Sequence, residues 1–486
     1  MTEAGHRRLQ QLTLAATVLG SSLAFVDATV VVVALPTIQN DLHFSLAGEQ
    51  WVFLAYSLAL AALYLPAGAV GDRKGRRETF MAGVVGFALA SALAGAAPTG
   101  AVLIAARALQ GAAAAFLATN SLALLRETYG QNAGHAVGLW TAFTSVATLG
   151  GPPLGGVLVE WVSWRWIFFV NLPLAAAAVV LAHKGRCPPL AEQRVGRLDL
   201  PGAGLAALAF GMVTYGVVDG AANGFGNAWW AFVVAAAALA AFVVVERRVE
   251  EPMLPFSLFR IRNFAVANLE TFLVYGALGG VFFFFTIYLQ FLGFSPLAAG
   301  LANVPGSVVM ILLSARFGKL SDEHGPKLFL TVGPLLIAGG MVLFSLMRSK
   351  DDFWREGVPG LVVFSLGLSM LVAPITSTAL ASAPGRFSGI ASGLNQTFSR
   401  LGNLLAVAVL GLVVLLVYQA NGGDHGQPIA LDQHDPVLRS ASMDAFRVAM
   451  LVSAGLALAG ALVAAFGISN RDALRGSDRA EAAAAS

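Results

Sequence analysis

Long, nearly uninterrupted apolar blocks constrain this chain more than any other feature. Leu12 to Leu35 and Trp229 to Val245 are two of them. Each is close to the ~20 helical residues that cross a hydrocarbon core about 30 Å thick. A separate strand of that length would leave its backbone N–H and C=O groups without partners in lipid, so the blocks are expected to be helices. The charge content agrees. Only 12% of the 486 residues are Asp, Glu, Lys or Arg, against roughly a quarter in a soluble chain, and 57% are hydrophobic.

Fourteen such segments can be marked, at about 12–35, 50–70, 79–97, 101–124, 136–158, 166–183, 200–218, 228–245, 264–291, 298–317, 328–347, 358–380, 388–418 and 446–468. An even number puts both termini on one side, and the basic residues say which side. With the N-terminus inside, twenty-two of the 30 Lys and Arg residues fall in cytoplasmic segments. They include Arg7, Arg8, the Arg73–Arg77 cluster, Lys184, Arg194, Arg247, Arg260, Lys319 and Arg475. Six face outward: Arg165, Arg348, Lys350, Arg355, Arg439 and Arg447. Arg107 and Arg400 fall within segments. The expectation is a multi-pass cell-membrane protein with both termini cytoplasmic. The first block is too long for a signal peptide and no small-residue cleavage site follows it, so it is expected to stay as a span.

Several function classes are disfavoured. The one cysteine, Cys187, allows no internal disulfide and has no metal-ligand cluster around it. The seven histidines lie in or near loops, unclustered, so no catalytic constellation is suggested. No basic stripe with interleaved aromatics points to nucleic acid. The long loops, about 184–199 and 419–445, are too short for a catalytic or sensing domain. Neither an enzyme nor a receptor is favoured, and no metal or cofactor is expected.

The chain also echoes itself. Gly68-Ala-Val-Gly-Asp72-Arg73-Lys-Gly75-Arg76-Arg77 follows the second segment, and Gly318-Lys-Leu-Ser-Asp322-Glu-His-Gly325-Pro-Lys327 lies in the corresponding place after the tenth. Two six-helix halves interrupted by the seventh and eighth segments would produce this, with a substrate site between the halves. The expected divisions are 1–183 for the first bundle, 184–262 for a loop and two extra helices, 263–470 for the second bundle and 471–486 for a tail.

Over nearly its whole length the chain resembles the major facilitator superfamily, in its fourteen-span drug:proton antiporter branch. The Gly68–Arg77 loop resembles the family signature, with Gly71 where alanine is usual. Physically, Gly75 permits a tight turn, the arginines suit anionic headgroups, and Asp72 suits a helix N-terminus. Arg107-Ala-Leu-Gln110-Gly111 resembles a second motif, whose arginine the family implicates in proton transfer. Gly150-Gly151-Pro152-Pro153-Leu-Gly155-Gly156 resembles the antiporter motif, and its four-residue glycine spacing suits close helix contact. Asp27-Ala-Thr29 followed by Val30 to Pro36 resembles the branch's first-helix motif, with Val26 for the usual leucine and Val32 where an asparagine is common. Trp164 to Pro173, and Tyr288-Leu-Gln290 with Gly293-Phe-Ser-Pro296, match it too. The resemblance implies two six-helix bundles plus two extra helices, working by alternating access. It implies a monomer that exchanges protons for small amphipathic organic molecules. An uptake carrier or facilitator on the same fold is the alternative.

Depth adds an argument of its own. Asp27 lies about 13 Å, and Arg107 about 10 Å, from the outer surface at 1.5 Å per residue. Opposite charges at one depth can pair, and a cation-tuned acid is a sensible proton carrier. Glu270, about 12 Å from the inner surface, is the second candidate. Gln110, Asn395 and Arg400 are candidate cavity-lining residues. No acid lies between Ser388 and Tyr418, where the family's cation exporters often have one. The Phe282–Phe285 run is expected to face lipid or core.

The topology has a direct check. In a Cys187→Ser background, cysteines placed at Lys74 or Arg194 should resist an impermeant thiol reagent on intact cells, and one at Gln427 should react. The opposite pattern would invert the orientation.

Overall fold

The computed structural model describes residues 3–129, 133–185, 200–249, 256–383, 388–423, 427–430 and 435–470. Cys187, most of the 184–199 loop and the 471–486 tail lie outside the described residues. The elements are α1 (Glu3–Leu42), α2 (Leu46–Lys74), α3 (Arg76–Gly95), α4 (Gly100–Tyr129), α5 (Ala133–Trp161), α6 (Trp166–Phe169), α7 (Asn171–Lys184), α8 (Leu200–Asn223) and α9 (Phe225–Glu246). They continue with α10 (Arg262–Phe291), α11 (Pro296–Leu301), α12 (Val304–His324), α13 (Lys327–Phe344), α14 (Val358–Ser382), α15 (Ser388–Ala420) and α16 (Pro436–Gly467).

Each of the fourteen apolar segments is helical. The sixth is divided into α6 and α7, and the tenth into α11 and α12. Thirteen spans among the described residues are long and apolar enough to cross a membrane. To these α5 adds a 29-residue helix whose one charged side chain is Glu160. Local chemistry sets several ends. The Asp435 carboxylate accepts the Val437 N–H at 2.8 Å, and Pro436 follows it where a missing N–H costs nothing.

The chain forms two compact units. One comprises Met1–Val213, Trp230–Glu251 and Ser295–Leu301; the other comprises Thr214–Trp229, Pro252–Phe294 and Ala302–Ser486. The same packing plan recurs in each. In the first, α1 packs on α5 and α7, and α4 on α2 and α3. In the second, α10 packs on α15 and α16, and α14 on α12 and α13. The Gly68–Arg77 and Gly318–Lys327 echo is therefore an echo of structure. Gly75 and Gly325 turn their chains with φ of 97° and 88°, a region that side chains with a Cβ rarely enter.

Lipid supplies no hydrophobic drive between helices, so small residues and close packing hold them together. A Cβ on Gly83 of α3 would meet the Leu117 nitrogen of α4 at 2.6 Å, and one on Gly340 of α13 would meet the Gly360 carbonyl at 2.7 Å. Helix α9 buries Ala228, Ala231, Ala235 and Ala238 along one stripe and exposes Trp229, Trp230, Val233 and Leu239. The Phe282–Phe285 run divides the same way, with Phe282 exposed and the other three buried.

Gly75→Ala and Gly325→Ala should each cost about 1–3 kcal/mol through backbone strain. Their thermal midpoints in detergent should drop below that of Gly204→Ala, whose added methyl meets open space. Equal midpoints would show that the turns tolerate a Cβ.

Candidate functional site

Asp27 on α1 and Arg107 on α4 are both fully buried and form an ion pair through Arg107 Nη1 and Asp27 Oδ2. The same Nη1 donates to Gln110 Oε1 at 2.7 Å, and Arg107 Nε donates to the Val52 carbonyl of α2 at 3.1 Å. The guanidinium lies over the Tyr56 ring, 4.3 Å from its centre, a favourable placement for a desolvated cation. The other carboxylate oxygen accepts from Gln110 Nε2 at 2.7 Å and from Asn171 Nδ2 at 3.3 Å. Ser91 of α3 ties these amides together. Its hydroxyl accepts from Gln110 at 3.2 Å and Asn171 at 3.0 Å, and donates to the Phe168 carbonyl at 2.8 Å. Six helices, α1 to α4 with α6 and α7, thus meet around one carboxylate. A proton on Asp27 would replace the charge that holds Arg107, so protonation and pairing compete for the same group.

The expected Asp27–Arg107 contact is present, and Gln110 joins it. Asn171, Ser91, Tyr56 and the Val52 carbonyl were not singled out from the sequence. Asn171 and Ser91 carried a readable signal, since each is a polar side chain within an apolar run. A backbone carbonyl carries none.

At the other end of α2, Gly68, Arg73 and Gly75 occupy the last turns and the connection to α3. Asp72 is in the last turn, and its side chain lies outside the described ones. Arg73 is exposed. Arg76 and Arg77 bond to protein rather than pointing only at headgroups. Arg76 Nη1 reaches the Ala123 carbonyl of α4 at 3.3 Å, and Arg77 Nε the Ala182 carbonyl of α7 at 2.8 Å. The Ala182 carbonyl lies in the last turn of α7, where a cation is favoured. The unusual Gly71 also has a reason. A Cβ there would overlap the Asn120 amide, which donates to the Ala67 carbonyl at 3.1 Å.

The glycines of α5 make two close contacts. A Cβ on Gly155 would meet the Val30 carbonyl of α1 at 3.0 Å, and Gly151 lies against Thr29 and Val26 of the same helix. Gly156 faces α11, where a Cβ would meet Pro296 O at 2.7 Å and Leu297 N at 2.8 Å. Gly300 of α11 in turn lies against Pro152 and Pro153, and Glu160 Oε2 accepts the Leu297 N–H at 3.2 Å. Gly150 faces open space.

In the second unit Glu270 of α10 is fully buried, and neither carboxylate oxygen has a hydrogen-bond partner among the described residues. It sits beside Gly460 of α16. Asn395 of α15 donates to Thr271 Oγ1 at 2.9 Å and Asn268 Oδ1 at 3.4 Å, a neutral polar cluster on the neighbouring stretch of α10. Arg400 is half-buried on α15. Glu270, Asn395 and Arg400 belong to the second unit, and the Asp27 network to the first.

The sequence pattern of the Major Facilitator Superfamily matches residues 17–407. The tetracenomycin C resistance and export protein of Streptomyces glaucescens is 34% identical, over 83% of this chain and 75% of that protein. The multidrug resistance protein Stp of Mycobacterium tuberculosis is 35% identical, over 84% and 76%. The puromycin resistance protein pur8 of Streptomyces alboniger is 34% identical, over 83% and 82%. Among solved structures, a bacterial homologue of the human lysosomal transporter Spinster aligns with a TM-score of 0.69 at 17% identity, over 96% of this chain and 98% of that one. The nucleoside transporter NupG aligns at 0.67 and 13%, over 94% and 100%. At such identities the structures speak for the fold.

The α5 contacts predict a graded response to added methyls. Gly156→Ala meets backbone atoms that cannot turn aside and should cost the upper part of the ~1–3 kcal/mol typical of overpacking. Gly155→Ala should cost less, and Gly150→Ala nothing. Thermal unfolding of the three purified variants would give this order, and identical midpoints would reduce the motif to ordinary packing.

Proposed function

The chain belongs to the major facilitator superfamily, and from that premise we propose that it is a proton-coupled antiporter exporting small amphipathic organic compounds. The carrying observation is the Asp27–Arg107 pair, buried within helices that cross the membrane. An ionisable group held inside a membrane is costly and functional by default. The relatives named for resistance and export support the outward direction and the class of substrate. We read both termini as cytoplasmic, from the distribution of basic residues, and the working unit as a monomer.

In this reading a proton from outside neutralises Asp27 and releases Arg107 to its remaining acceptors, Gln110 and the Val52 carbonyl. The same turn of α1 carries Val26, Thr29 and Val30, which line Gly151 and Gly155 of α5. A shift of α1 at Asp27 is therefore passed directly to α5, and from Gly156 to α11. This links the proton site to the glycine motif through contacts too tight to slip. A Cβ at most of these positions would already collide. Glu270 is the second candidate proton carrier, or a contact for a cationic substrate. Asp72, Arg73, Arg76 and Arg77 act as the conformational latch of their loop. The glycine motif favours export over the alternative, an uptake carrier or facilitator.

The test is transport into inverted vesicles, using a panel of amphipathic compounds with and without an acidic interior. Accumulation that depends on the pH gradient is expected. Asp27→Asn keeps the shape without the titratable group and should abolish it while the protein still inserts. Unchanged gradient-driven transport in Asp27→Asn would remove Asp27 from the mechanism and promote Glu270. Accumulation only in right-side-out vesicles would favour uptake.

A further inference from the structure

A third buried carboxyl lies in the membrane-spanning part of the first unit, outside the network described above. Glu49 occupies the first turn of α2, at the end opposite Arg73 and Lys74, and is 2% exposed. Among the described residues its Oε1 has no hydrogen-bond partner and no backbone N–H donates to it, so it does not cap its helix; its own backbone N–H is spent on the Ser45 carbonyl at 3.1 Å.

What faces it is specific. Val52 and Tyr56 follow Glu49 on the same face of α2, at the three- and four-residue steps that line up side chains on a helix. Both touch Arg107. Glu49 therefore stands about one turn, or ~4.5 Å along the axis, above the carbonyl that holds Arg107 Nε. The Phe44 ring lies against the first turns of both α2 and α4. A Cβ on Gly48 would meet it at 2.7 Å and one on Gly100 at 2.9 Å. The ring thus bridges the N-terminal ends of the two helices, at the residue that precedes Glu49 in the chain.

Charge at this position is poorly supported. The described charged groups near this end of α1 and α4 are Arg107 on α4, already committed to Asp27, Asp27 itself on α1, and Asp41, which accepts from Trp164 and Arg165; Arg7 and Arg8 of α1 and Glu127 of α4 lie at the opposite ends of those helices. On α3 they are Arg76, Arg77 and Glu78, at its far end. His43 is in the preceding turn. The N-terminus of α2 offers an anion about 0.3–1 kcal/mol, against several kcal/mol for burying it unpaired. Burial wins, so the sealed arrangement holds Glu49 as the neutral acid.

We propose that Glu49 is an additional proton-uptake group on the outer side of the Asp27–Arg107 pair. It binds a proton from outside as the Phe44 end of α2 and α4 seals, and returns it to water when that end opens. The carboxylate gains one proton on closure and loses one on opening, with no other bond made or broken. The outer placement rests on the orientation adopted under the proposed function. External acid then favours the sealed arrangement, and raising external pH opposes it.

The test uses the full chain in proteoliposomes and the purified protein in infrared difference spectroscopy. Glu49→Gln keeps the shape and the neutral form. Across a pH unit outside that slows the unmodified protein about tenfold, as one linked proton requires, Glu49→Gln should change less than about twofold. It should also lack one protonated-carboxyl band while the other carboxyl bands stay, and leave the number of protons moved per substrate unchanged, because Glu49 takes up and returns its proton on one side. Glu49→Asp retains the acid and should restore both the band and the pH response, which separates titration from loss of shape. An unmodified external-pH response and an intact carboxyl spectrum in Glu49→Gln would overturn the proposal. So would absence of any pH-sensitive carboxyl band assignable to Glu49 in the unmodified protein, a readout that remains if Glu49→Gln fails to insert. If no protein shows gradient-driven transport, the antiporter reading fails, while the infrared band still reports whether Glu49 carries the proton.

Discussion

Two opposite charges inside a membrane are tolerable only when nearly every remaining polar valence is met. Each ion costs several kcal/mol to desolvate, and the attraction repays this only with good geometry and extra hydrogen bonds. Asp27 and Arg107 meet that condition by drawing on the Val52 carbonyl, the Tyr56 ring, Ser91, Gln110 and Asn171. Those partners lie on separate helices. Satisfying the pair therefore sets the rotation and height of α1, α2, α3, α4 and α7 together, in a solvent that exerts no hydrophobic pressure between them. The apolar contacts of Phe80, Val84 and Phe87 with Ala114, Ala115 and Leu117 then fill a bundle whose register the polar centre has already chosen.

The two units share a packing plan but not a chemistry. In the second, α10 takes the place of α1, and its polar contact with α15 is neutral, built from Asn268, Thr271 and Asn395. Glu270 has no hydrogen-bond partner among the described residues. The shared plan includes the paired turns at Gly75 and Gly325. The buried Asp27–Arg107 ion pair belongs to the first unit. The first unit also carries the close glycine contacts of α5 with α1 and α11. A helix that approaches a neighbour only through glycine cannot slide without cost, and α5 is held in this way against α1 and α11.

The site was partly readable in advance. The depth of Asp27 and Arg107 follows from counting residues, and opposite charges at equal depth inside lipid have few ways to be stable except together. That Gly151, Gly155 and Gly156 serve a close contact follows from their spacing. Their partners do not, because spacing describes one helix face and says nothing of what lies opposite. Asn171 and Ser91 were visible as polar residues in apolar runs, but their target was not. Arg76 and Arg77 read as headgroup anchors, and the structure turns them onto carbonyls of α4 and α7. An arginine in a basic loop looks the same whether water, lipid or a helix terminus receives it.

The sequence by itself determined that this chain crosses a membrane as helices, about how many times, and where its turns fall. Hydrophobic length, helix-breaking residues and charge asymmetry act on each segment separately, so a linear reading captures them. Only the tertiary structure decided which carbonyl holds Arg107, which helix each glycine of α5 touches, and that Glu49 is buried in the first turn of α2. These depend on the rotation of one helix against another across 50 to 150 positions of chain. That rotation is set by the joint satisfaction of many weak contacts, and no single segment encodes it.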